Sequence, residues 1–203
     1  MSAVTGIPYQ KIKMKTLDAD QQAILDRAYE NFEYLPIFIQ DSSGITIDEV
    51  RATAKQFKKK HGKIAMIVVD YLQIMNIPQV KGDTRALAIG RVTGQAKQIA
   101  RDLNCCFMML SQMSRDNEKN NRNSALRPVL ADLKESSSIE QDADVVEFLW
   151  TEGKMAQGGK IIKQTFAKGR DIGVNEFDLL FMNWKQKFVE LDPDAEGVSN
   201  HGK

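Results

Sequence analysis

Asp70 closes the apolar run Ile64-Ala65-Met66-Ile67-Val68-Val69, and Ser111-Gln112 closes the next such run, Cys105 to Leu110. If the two runs are parallel strands, this carboxylate and this amide share the carboxyl edge of the sheet, where open α/β sheets bind their ligands. A carboxylate at that edge can hold Mg2+ through its water shell. A glutamine there is long enough to sense a terminal phosphate or to orient an attacking water. The alternative is that each is merely a polar strand end. Lys168 and Arg170 are separated by one residue at the end of a later strand, so their side chains can point the same way. Two parallel cations suit a polyphosphate, matching the charge that develops during phosphoryl transfer; otherwise they are a solvated strand tip. Lys134, Arg115 and the run Lys58-Lys59-Lys60 could contact a nucleic-acid backbone or could simply be solvated faces. Trp150 and Trp184 read as core or hairpin packing rather than base-stacking platforms.

Absences narrow the chemistry further. The 203 residues contain no GxxxxGK[ST] and no GxGxxG, so an aspartate fit for magnesium without a phosphate cradle is half of a nucleotide site. No Ser-His-Asp, Cys-His or HExxH arrangement is present. The net charge of +1 gives no global basic field, and any DNA contact must come from local loops. Cys105 and Cys106 are adjacent, with Cα atoms about 3.8 Å apart, too close for an unstrained bridge. They fit a reducing cytosol and a buried strand, and with His61 and His201 far apart no structural zinc site is expected. No stretch approaches the roughly 18 apolar residues of a membrane span, and the N-terminus has no apolar signal core. The chain reads as cytoplasmic, with no membrane partner.

The elements that must position these residues follow from period and capping. Residues 1–15 show no clear period. Asp18 with Gln21 opens a helix that carries Ile24, Leu25, Ala28, Phe32 and Leu35 at helical spacing. Pro36 ends it, and Ile37-Phe38-Ile39 reads as a short buried strand. Thr46 with Glu49 opens a second helix, with Val50, Ala54 and Phe57 inward, Lys58 to His61 in its last turn and Gly62 beyond. The continuous apolar runs before Asp70 and Gln112 predict strands covered on both faces. Between them a helix from about Thr84 to Leu103 turns Leu87, Val92, Ala96, Ile99 and Leu103 inward. Strand, helix, strand is the βαβ unit of a parallel sheet. Residues 113–128 read as a polar loop, 135–143 as a short helix, and Val145–Trp150, Ile161–Lys168 and Phe177–Met182 as strands, with Phe188–Leu191 closing a final hairpin. One incomplete domain over 1–192 and a disordered polar tail over 193–203 are expected.

Taken in order, these signals resemble a known family. Ile67-Val68-Val69-Asp70-Tyr71-Leu72-Gln73-Ile74-Met75 is similar to the second core motif of DnaB-type replicative helicases, and Ser111-Gln112-Met113-Ser114-Arg115 to their third. Residues 127–146, RPVLADLKESSSIEQDADVV, resemble the family's DNA-binding loop and following helix, and Ala167-Lys168-Gly169-Arg170 its strand-end KxR motif. The resemblance implies an α/β, RecA-like motor domain with a mostly parallel central sheet flanked by helices and ending in a β-hairpin. It further implies a homo-hexameric ring around single-stranded DNA, driven by ATP with Mg2+, and primase and a helicase loader as partners. Carried over, Asp70 would be the Walker B aspartate acting on Mg2+ largely through water, and Gln112 the γ-phosphate sensor. Arg170 would be the arginine finger entering a neighbouring subunit's site, with Lys168 beside it. Lys134, Glu135 and Ser137 would lie on the loop that touches DNA phosphates, with Arg115 nearby.

Some positions depart from the family pattern. Ser137 stands where the family has glycine, and Lys134 where it has arginine, which keeps the charge but loses the bidentate fork. The segment after Arg170 differs from the usual Asn-Gly-Pro, as in a phage or prophage member. The family's P-loop, catalytic glutamate and N-terminal strands are expected upstream of Met1. The expected function is part of an ATP-dependent replicative helicase. The alternative is a non-catalytic single-strand-binding or oligomerising remnant that modulates a complete one.

Overall fold

The computed structural model describes residues 1–113, 127–133, 137–156 and 158–191. In chain order the elements are α1 (Ser2–Thr5), α2 (Tyr9–Met14), α3 (Ala19–Glu33), α4 (Ile47–His61), β1 (Met66–Val69), α5 (Arg85–Leu103), β2 (Cys106–Met109), α6 (Ser137–Asp142), β3 (Val145–Trp150), β4 (Met155–Ala156), β5 (Gly159–Gly169), β6 (Asn175–Met182) and β7 (Lys187–Glu190). The chain divides into two units: residues 1–39, 148–165 and 175–203 in one, and 40–147 and 166–174 in the other.

In the first unit, α3 starts where the sequence places it. The Gln21 N–H donates to the Asp18 carboxylate at 2.8 Å, and the Gln21 side chain accepts from the Asp18 N–H at 3.4 Å. Of its apolar positions only Leu25 is buried, while Ile24, Phe32 and Leu35 are exposed. Helical spacing marks a face, and whether anything covers it is a tertiary matter. Ile37-Phe38-Ile39 forms no strand, and its side chains are exposed; a three-residue apolar run has no period to distinguish strand from coil. The antiparallel sheet has the order β3-β5-β6-β7, with β4 on β5. At its centre Leu180 and Thr165 are buried. The Trp150 indole N–H donates to Thr165 Oγ1 at 2.9 Å, and that hydroxyl donates to Glu176 at 2.6 Å. The final hairpin forms as expected, with Phe181 facing Phe188 across β6 and β7 at 4.7 Å between ring centroids. Trp184 lies in its turn, with the Lys185 ammonium over its ring.

The second unit carries the parallel pair. Met66 pairs with Cys106 and Val69 with Met109. The core beside them joins Val50 and Ala54 of α4, Ile89, Val92, Ala96, Ile99 and Leu103 of α5, and Val69 and Leu72. Ile67, Phe107 and Met109 pack on this core, but Met66, Val68, Met108 and Leu110 stand 41–54% exposed. The expectation of two covered faces is therefore corrected: residues alternate across a strand, and α4 and α5 take one face. Cys106 is exposed and Cys105 only partly buried, with a thiol pKa raised chiefly by that burial. Leu87 is also outward, at 58% exposure, in the first turn of α5 beyond the Thr84 cap. α4 keeps its predicted capping box, Glu49 N–H to Thr46 Oγ1 at 3.2 Å and Thr46 N–H to Glu49 at 2.7 Å. The Thr46 N–H and, at 2.8 Å, the Thr46 hydroxyl both donate to the Glu49 carboxylate and hold it below its usual range. No helix among the described residues is long and apolar enough to cross a membrane.

Candidate functional site

The parallel ladder fixes the strand ends. Leu110 N–H donates to Val69 O at 3.0 Å, and Leu72 N–H to Leu110 O at 2.9 Å. Asp70 and Gln112 therefore leave adjacent strands at the same edge, as the sequence predicts. A residue the sequence reading did not single out ties the two loops together. Gln73 donates from Nε2 to Ser111 Oγ at 3.0 Å, and its Oε1 accepts the Gln112 N–H at 3.1 Å. Its signal lay inside the Asp70-Tyr71-Leu72-Gln73 segment. The backbone of Gln112 is thus held while its side chain remains exposed. Asp70 is exposed as well, and among the described residues its carboxylate makes no hydrogen bond or ion pair. Among those residues no group of three or more His, Cys, Asp or Glu could hold a metal ion. A single open carboxylate still fits Mg2+, which keeps several waters and takes its remaining ligands from phosphates.

Lys168 and Arg170 gather elsewhere in the same unit, and they are not a solvated strand tip. Lys168 Nζ donates to the Glu140 carbonyl and, at 3.5 Å, to Gln141 O. Arg170 Nη1 donates to Asp144 Oδ1 at 2.7 Å, and Nη2 to Gln141 O at 3.2 Å. Lys97 of α5 completes the cluster, donating to Asp142 O at 2.9 Å and to Asp144 Oδ1 at 2.7 Å. Three cations thus face the C-terminal carbonyls of α6, the end of a helix that favours positive charge. The Lys97 hydrogen bond, then the charges of Lys97, Arg170 and Arg101, hold the Asp144 carboxyl below its usual range.

α6 can lie this close to α5 because Gly90 faces it: a Cβ there would meet Ser138 Cβ at 3.0 Å. Thr93 Oγ1 adds a 2.5 Å hydrogen bond to Asp142. Neither Asp144 nor Lys97 was singled out from sequence, since nothing local joins them to Arg170. Lys58 is likewise engaged, donating to Leu103 O at 3.0 Å, where it caps α5 rather than standing free for a backbone phosphate. Lys134, Glu135 and Arg115 lie outside the described residues, and of Ser137 only its place as the first residue of α6 is described.

The parallel β1–β2 pair with its crossover helix α5, and the antiparallel sheet that follows it in the chain, make this an α/β, RecA-like fold. Residues 1–190 match the DnaB-like helicase C terminal domain, and the chain belongs to that family. It is 32% identical over 195 residues to the replicative DNA helicase DnaC of Bacillus subtilis (strain 168), covering 95% of this chain and 42% of that protein. It is 41% identical over 114 residues to the replicative DNA helicase DnaB of Haemophilus influenzae, covering 56% of this chain and 24% of that protein. A solved DnaB-like replicative helicase, described with its interactions with primase, superposes with a TM-score of 0.82 at 30% identity, over 94% of this chain and 46% of that one. The chain thus spans 42% of the length of the first curated relatives it matches.

Proposed function

We propose that the chain is part of an ATP-dependent replicative DNA helicase, a six-membered ring that translocates on single-stranded DNA and unwinds duplex. The observation that carries this is the shared edge of β1 and β2, where Asp70 and Gln112 present open side chains from adjacent parallel strands. Membership of the helicase family supports it.

In this reading Asp70 holds Mg2+ largely through water, and Gln112 senses the γ-phosphate. Held there by Asp70, Mg2+ would supply charge neutralisation to the reacting phosphoryl group. Gln73 keeps the Gln112 backbone at the edge, so the amide searches only its own rotamers. Arg170 acts as the finger at a neighbouring subunit's nucleotide, with Lys168 beside it, stabilising charge in the transition state. Lys134, Glu135 and Ser137 line the channel and touch DNA phosphates, largely through backbone groups, with Arg115 close by. Primase and a helicase loader are the partners of the whole protein, and the cytoplasm its compartment.

The 203 residues contain no GxxxxGK[ST], and in this reading additional polypeptide supplies the phosphate-binding element. The purified chain alone is therefore expected to show no magnesium-dependent ATPase above a no-protein blank. Hydrolysis by the chain alone would overturn this division of labour.

A further inference from the structure

α6 is six residues long, a rod of about 9 Å at 1.5 Å per residue. It begins at Ser137 and ends in the carbonyls that hold Lys168 and Arg170. Gly90 and Thr93 of α5 seat its length. Beyond its end Asp144 is gripped on one carboxylate oxygen by both Lys97 and Arg170, at 2.7 Å each. The Arg170 N–H also donates to Asp144 O at 3.1 Å.

A guanidinium has five N–H donors in a planar fork. Held by Asp144 at one Nη and by Gln141 O at the other, the fork is fixed in orientation while further donors stay available to an anion. We propose that Asp144 is a positioning residue for Arg170, and that with the α6 carbonyls it sets the direction of the finger. Because Arg170 is bonded both to the helix end and to Asp144, loss of the Asp144 contact changes how the finger is aimed. Lys97 anchors Asp144 to α5. This rests on reading Arg170 as the finger.

The test uses the ring-forming polypeptide that joins this chain to a phosphate-binding loop, assayed with ATP and oligo(dT). Asp144→Asn keeps the shape and removes the charge. It is expected to lower the DNA-stimulated kcat about tenfold, the scale of an ordinary coupling between sites, while KM for ATP and Kd for oligo(dT) stay within about twofold. Asp144→Glu should recover most of the loss. A merely structural role would move KM, Kd and the unfolding midpoint together and would gain nothing from Glu. Either that pattern or an unchanged DNA-stimulated kcat in Asp144→Asn overturns the proposal. If Asp144→Asn fails to assemble, Lys97→Met, which removes the anchor, is expected to lower the same kcat about threefold at unchanged KM, and no change would overturn the proposal. Arg170→Ala run alongside separates the two readings. If it leaves kcat intact, the finger assignment fails. If it abolishes turnover while Asp144→Asn is inert, only the positioning role fails.

Discussion

Asp70 and Gln112 stand exposed at the edge of β1 and β2, their side chains making no hydrogen bond among the described residues. Lys168 and Arg170, in the same unit, are bonded to α6 and Asp144. The proposed roles account for the difference. A carboxylate that meets a hydrated Mg2+ needs its oxygens free for water, and exposure leaves them so. A long cation that must stabilise charge in another subunit loses rotamer freedom on doing so, and holding it beforehand reduces that cost. No hydrogen bond or ion pair links the two groups among the described residues. In the proposed reading one chain carries two half-sites, one open and one preset, as a head-to-tail ring requires.

The comparison can be broken from the cationic side first. Arg170→Ala, in the polypeptide that includes the phosphate-binding loop, should lower kcat by about 1,000-fold or more, the scale of an arginine finger, with little change in the KM for ATP. Steady-state hydrolysis measures it, and a loss confined to KM would make Arg170 a binding group. The smallest expected effect is on stability. Because its neighbouring cations depress the Asp144 pKa, the charged form is favoured in the folded state. The stabilisation is present above the ordinary carboxylate value of about 3.9 and is lost as pH falls through the lower folded value. The pairs are more than half exposed on the Asp144 side, so the effect should not exceed about 1 kcal/mol. Thermal unfolding of Asp144→Asn against the parent should show a small gap near neutral pH that closes below about pH 4. A gap that persists at pH 3 would mean that charge is not its source.

How much of this was legible in the sequence depended on range. Asp18 with Gln21 and Thr46 with Glu49 act within one turn, and both capping boxes form where the spacing puts them. Val145–Trp150 forms a strand with the bounds read from its apolar run. Asp70 and Gln112 were legible because a strand end is a local event, and parallel pairing brings two such ends together. The misreadings share a cause: Leu87, the outer faces of Val68 and Met108, and Ile37 to Ile39 are apolar, but local sequence does not say which neighbour covers them. Lys168 and Arg170 were visible as a pair. Their acceptors lie 26 to 29 positions away, and no pattern of period or spacing reaches that far.

The central claim is that the open half-site of one copy is completed by the preset half-site of another. Rings assembled from Asp70→Asn subunits, from Arg170→Ala subunits and from a 1:1 mixture test it directly by their rate of ATP hydrolysis. Each variant alone should be nearly inactive. In the mixture about one interface in four unites an intact Asp70 with an intact Arg170, and hydrolysis should rise clearly above both parents. A mixture no more active than its parents would place Arg170 in its own subunit's site and contradict the account.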